Sequence, residues 1–202
     1  MGPQVNTERS NVNAFQIMAE AIDNCSLVIS ELYYLENKLI GEQNPTEVVN
    51  SPKMATLPPA AILKDGPAKL DFNSSEIHSM VEKIEDILIC NKGPMVACGL
   101  GENKAERKPS RPEELGFAIN MFGEAVLSLR RFADQLDFKP KEETISEKAS
   151  SRSFEQEPLV RLLTLGAEEL TSKVAMGLRI ITDIKQALLG IVPPTAEGGC
   201  CA

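Results

Sequence analysis

The segment 163-LTLGAEELTSKVAMGLRIITDIKQAL-188 decides the fold class. Its apolar and small positions Leu163, Ala167, Leu170, Val174, Gly177, Ile181, Ile184 and Leu188 step 4-3-4-3-4-3-4. That spacing brings every one of them to a single side of a helix. A half-buried strand would alternate with period two instead. Gly190 stops the pattern, and Pro193-Pro194 prevents its continuation. A helix over about 158–189 is therefore expected, with one stripe turned toward a partner.

Three further stripes precede it. Phe15, Met18, Ile22, Cys25, Ile29, Leu32 and Leu39 predict a helix over about 13–40, opened by Asn13 with Gln16 and closed by Gly41. Ile77, Met80, Ile84 and Ile87 predict one over about 74–90. Asn73 with Glu76 opens it, and Asn91-Lys92-Gly93-Pro94 closes it. Leu115, Ile119, Phe122, Val126, Leu129, Ala133 and Leu136 predict one over about 111–137, behind Ser110 and Glu113. The expected fold is all-α, as a four-helix bundle or an intertwined helical oligomer. Its organisation reads as a helix–linker–helix unit over 1–92, a Gly-rich and charged connector over 93–110, a second unit over 111–190 and a tail over 191–202.

The linkers are long, at about 31, 19 and 20 residues, where bundle connections usually take 2 to 8. They suit segments draped over neighbouring subunits. The first and last helices end alike, Leu39-Ile40-Gly41 with Pro45-Thr46 against Leu188-Leu189-Gly190 with Pro194-Thr195. Either a duplicated helix–linker–helix unit or the common way of stopping a helix accounts for this.

Composition narrows function by exclusion. A net charge of −8 opposes general nucleic-acid binding, which needs clustered cations, and opposes an anionic membrane surface. No apolar run approaches the length of a transmembrane helix, and the first residues lack the pattern of a signal peptide. Five cysteines, Cys25, Cys90, Cys98, Cys200 and Cys201, are odd in number and irregular in spacing. They suit a reducing compartment such as a cytoplasm.

Catalytic residue types are scarce. His78 is the one histidine, so any Ser-His or Cys-His mechanism must use it. Paired Glu-x-x-His motifs for a bundle metal site are absent, and the cysteines lack zinc-finger spacing. No catalytic group, metal or cofactor is expected. The segment Gly93–Lys104 is glycine-rich, but it has no phosphate-loop pattern and no preceding strand.

The leading expectation is a non-enzymatic helical interaction protein that partners itself, as a homo-oligomer, or another helical protein. Its packing or oligomer surface would use Leu163, Leu170, Val174, Gly177, Ile181, Ile184, Leu188, Ile22, Ile29 and Leu32. Amphipathic helices ending in Leu-x-Gly and joined by Pro-rich polar linkers resemble small accessory or structural proteins of tailed phages. That resemblance implies a host cytoplasm or a virion as location. The alternative is an oligomer that sequesters a small anionic ligand such as a signalling nucleotide, held by Lys104, Arg107, Lys108, Arg130 and Arg131.

Overall fold

Helix α1 covers Gln4–Ile40, α2 Pro59–Leu88, α3 Arg111–Gln135 and α4 Leu159–Leu189, with a single 3-10 turn at Met54–Thr56. The computed structural model describes residues 4–41, 53–88, 110–136 and 158–190, with side chains from residue 13 onward. Among the described residues there is no strand. The helices pack in a ring: α1 on α2, α2 on α3, α3 on α4, and α4 back on α1. All four stripes converge on one core that includes Met18, Ile22, Leu32, Leu70, Ile77, Leu115, Phe122, Leu170 and Ile184.

Two boundaries differ from the sequence expectation. Helix α1 begins at Gln4 rather than Asn13, so Asn13 and Gln16 lie inside it and cap nothing. Helix α2 begins at Pro59 rather than Ser74. The expected linker over 42–72 was read from its prolines, yet Pro59 stands at a helix start, where no N–H is required. Pro67 lies inside the helix and is buried. A mid-helix proline costs about 3 kcal/mol, and the added burial of Ile62, Gly66 and Leu70 offsets it. Asn73 is consequently a buried mid-helix residue, not a cap. The other two helices match their expected spans closely. Ser110 donates its N–H to Glu113 Oε2 at 2.6 Å to open α3, and Gly190 closes α4 with φ of 65°.

The four helices run parallel. On the α1–α2 side, Lys69 meets Asp23 at 2.7 Å and Tyr33 meets Glu76 at 2.7 Å, so both chains advance together. On the α2–α3 side, Gly66 lies against Leu115 and His78 against Ser128. Gly166 lies against Ile119 of α3 and Met18 of α1, and Gly177 lies against Val126 and Val28 of the same two helices. A parallel neighbour can be reached only by returning the length of the helix just completed. Long linkers are therefore required inside one bundle. Linkers of such length thus do not by themselves point to neighbouring subunits.

The first return is partly visible. Asp23 accepts the backbone N–H of Met54 at 2.9 Å and of Ala55 at 3.0 Å, while Lys69 closes on the same carboxylate. Met54 is buried there. The chain that left α1 at Ile40 is thus pinned back at the middle of α1 before α2 starts.

The bundle is also repeated. Adding 100 to each of the ten buried positions of α2 gives a buried position of α4, including Gly66 to Gly166, Leu70 to Leu170, Asn73 to Lys173 and Ile84 to Ile184. Subtracting 97 from the ten buried positions of α3 gives nine buried positions of α1, with Ser26, the counterpart of Gly123, half-buried. Met18-Ala19-Glu20-Ala21-Ile22-Asp23 thereby aligns with Leu115-Gly116-Phe117-Ala118-Ile119-Asn120. The matching helix ends noted in the sequence paired α1 with α4. The structural correspondence pairs α1 with α3 and α2 with α4.

Candidate interaction surface

The stripe residues expected to form an oligomer surface lie inside this one chain. Leu163, Leu170, Val174, Gly177, Ile181, Ile184, Ile22, Ile29 and Leu32 are buried, and Leu188 is half-buried against the same core. A partner could reach them only by opening the bundle. Gly177 is a close-approach position, because an added Cβ would lie 3.2 Å from Val28 Cγ2.

The cations separate into two groups. Lys104, Arg107 and Lys108 fall outside the described residues, as do the glycine-rich loop and Cys90, Cys98, Cys200 and Cys201. Arg130 meets Asp134 at 3.4 Å, and Arg131 approaches Glu124 at 3.9 Å. Each described arginine of the expected anion site thus has a carboxylate beside it, which weakens its pull on a free anion.

His78 Nδ1 lies 3.2 Å from Ser128 Oγ. The serine hydroxyl donates to the Ala125 carbonyl at 2.7 Å, so its one proton is committed to its own helix. While the serine keeps that bond, the contact needs the His78 tautomer that carries its proton on Nδ1. That polarity is opposite to the one in which a histidine base takes a serine proton. Cys25, the described thiol, is buried, and desolvation raises its pKa far above the ordinary range. Among the described residues, no three His, Cys, Asp or Glu side chains converge as a metal set. Nor is any described helix long and apolar enough to cross a membrane.

The outer face of α1 carries a second stripe that the sequence reading passed over. Ile17, Glu20, Asn24, Leu27, Glu31, Tyr34 and Lys38 step 3-4-3-4-3-4, and all are exposed. Three are large and apolar, with Leu27 48% exposed, Tyr34 42% and Ile17 41%. Lys185 of α4 pairs with Glu31 and sits 4.3 Å from the centroid of the Tyr34 ring, which ties α4 to the edge of the stripe. The signal was present as spacing, but the charged residues between the apolar ones disguised it.

The repeat supplies an internal control for this face. At the α3 positions matching Ile17, Leu27 and Tyr34 stand Glu114, Glu124 and Arg131. The same helical positions, on the same scaffold, are charged in one half and apolar in the other. The relation also runs in reverse: exposed Phe117 of α3 matches Glu20, and exposed Phe72 of α2 matches Ser172. The core kept its pattern between halves, and the outside did not.

No family model, curated protein or solved structure matches the chain.

Proposed function

We propose that this protein is a non-enzymatic, α-helical interaction protein that assembles through the outer face of α1, with a second copy of itself as the first partner. One observation carries the reading. Ile17, Leu27 and Tyr34 remain apolar and exposed on α1, although charged residues serve at the equivalent positions of α3. A helix face with regular 3-4 spacing and exposed large side chains suits helix-on-helix docking. A structural or accessory role in a tailed phage is the specific form of this reading that the sequence resemblance adds.

Light scattering over a concentration series tests it. The intact chain should exceed its monomer mass of 22.0 kDa, and a variant carrying Leu27→Glu with Tyr34→Glu should return to that mass while staying helical. A compact monomer at all micromolar concentrations would sink the proposal. The competing reading, a sequestering site for a small anion, is tested by thermal shift against phosphates and nucleotides. Saturating ligand at 100 times its dissociation constant should add about 2.7 kcal/mol.

A further inference from the structure

The two halves, α1 with α2 and α3 with α4, meet along two seams. One is α2 against α3, and the other is α4 against α1. Under the repeat these seams are equivalent. Gly66 admits Leu115 at the first, and Gly166 admits Met18 at the second. The polar contacts on this common frame differ: Ser128 meets His78 at the first seam, whereas its counterpart Glu31 meets Lys185 at the second, seven residues beyond the counterpart of His78. Each half therefore docks onto a face built to the pattern it presents itself.

Charge disfavours one of the alternative pairings. Glu31 of α1 pairs with Lys185 of α4. The residue standing in α2 where Lys185 stands in α4 is Glu85. Two N-terminal halves would therefore bring Glu31 against Glu85, a like-charge contact that opposes pairing. An N-terminal half and a C-terminal half keep Glu31 against Lys185, whichever chain supplies them.

We infer that the chain is a tethered pseudo-dimer whose halves can be exchanged between copies, so that α1–α2 of one molecule completes the bundle with α3–α4 of another. Within one molecule the connection over 89–110 decides the outcome. The contacts of Gly66 with Leu115 place the start of α3 level with about Ile62 of α2. Returning from Leu88 to that level spans about 40 Å at 1.5 Å per residue. The 22 intervening residues reach about 75 Å when extended, so closure within one chain is easy. It is also favoured by an effective concentration in the millimolar range. A connection of 8 residues would reach only about 27 Å and could not close. Exchange would then be the one way to bury both seams.

Deleting residues 94–107 leaves such a connection. The expected result is a particle of twice the shortened chain's own mass, with the helical content of the four helices retained. A shortened chain that stays a helical monomer would overturn the inference.

A second measurement uses the intact connection. Cys90, Cys98, Cys200 and Cys201 are replaced by Ser, one population carries Glu31→Cys and another Lys185→Cys. Unfolding the two together and refolding them at high concentration should yield a disulfide joining the populations, and the Lys185→Cys population alone should form none. Absence of that link after refolding to wild-type helicity would also overturn the inference. Adding Leu27→Glu, which attacks the outer face of α1, should leave both outcomes unchanged. Failure of surface assembly and failure of half exchange are thus told apart.

Discussion

Asn73 and Lys173 occupy one and the same position, a hundred residues apart, in the two halves of the bundle, and both are buried. Lys173 reaches Glu169 at 3.6 Å, and its methylene stem lies along Gly123, with Cε 3.4 Å from where an added Cβ would stand. Asn73 has a buried Nδ2 with no hydrogen-bond partner. An orphaned buried donor costs about 1–3 kcal/mol. Asn73→Leu should therefore raise stability by about 1–2 kcal/mol. In urea the midpoint should rise with an unchanged slope; a lower midpoint would mean that the amide supports the core in some other way.

Asp23 is the clasp of the first return, and its titration has a definite sign. Burial alone would raise its pKa, but the bonds from Lys69, Ala55 and Met54 outweigh burial and hold it below 3.8. A depressed folded value means stability that is full above the unfolded pKa and is lost as pH falls through the folded one. Asp71 runs the other way: burial raises its carboxyl, so it favours the folded state as it takes up its proton. Asp23→Asn should cost about 1–3 kcal/mol at neutral pH and flatten the acid limb of a stability-versus-pH curve. An unchanged acid limb would show that the clasp contributes nothing there.

Tyr33 reports the alkaline side. Its hydroxyl donates to Glu76 Oε2 at 2.7 Å, and that bond, with burial behind it, pushes the phenol up to about 12. The folded state holds this proton more tightly than the unfolded one. The contribution is therefore complete below pH 10 and is lost as pH rises from 10 toward 12. Tyr33→Phe should destabilise by about 1 kcal/mol at pH 7 and remove that part of the alkaline loss. Absorbance titration should place the Tyr33 phenol well above the ordinary tyrosine value of 10, and Tyr33→Phe should remove that late step.

Two glycines of α4 give opposite forecasts from similar crowding. At Gly166 an added Cβ would lie 2.7 Å from Ile119 Cδ1 and from Met18 Cε, both terminal atoms of side chains that can turn aside. At Gly177 it would meet both methyls of Val28, at 3.2 and 3.3 Å. Valine is branched at Cβ and stiff about χ1, so little relief is available. Alanine gains about 1 kcal/mol of helix propensity over glycine at either site. Gly166→Ala should come out near neutral, while Gly177→Ala should lose about 1–2 kcal/mol net. Thermal melts that reverse this order would refute the claim that Val28 is the rigid neighbour.

The all-α class was legible because Leu163 through Leu188 and Leu115 through Leu136 keep an uninterrupted 4-3 rhythm. The start of α2 was not, because Pro59 and Pro67 signal local chain breaks while the tertiary burial of Ile62 and Leu70 is invisible to a local reading. Helix direction was hidden too. A stripe looks the same whichever way its neighbour runs, and only linker length carries that information. The linkers over 89–110 and 136–158 carried it, but length alone also fits bridging between subunits. A duplicated helix–linker–helix unit is one of two readings of the helix ends, but its register was hidden because so few side chains are identical across it. Cys25 against Phe122, or Asn73 against Lys173, share burial rather than chemistry. For the interaction surface, Ile17, Leu27 and Tyr34 gain meaning only once Glu114, Glu124 and Arg131 are recognised as their counterparts.

Parallel alignment of the four helices has an electrical consequence. In an up-and-down bundle neighbouring macrodipoles cancel, whereas here all four add. Each helix contributes roughly half a positive charge at its first turn and half a negative charge at its last. The backbone alone then gives one end of the molecule about +2 and the other about −2, superposed on the acidic net charge. The side chains at the ends of individual helices temper this polarity: Glu113 and Glu114 sit in the first turn of α3, and Lys38 in the last turn of α1. Two such molecules approaching along their long axes meet with opposite poles when stacked head to tail, and with like poles when head to head. Copies meeting end to end are thereby biased toward a common polarity, and copies lying side by side along the outer face of α1 toward opposite polarity.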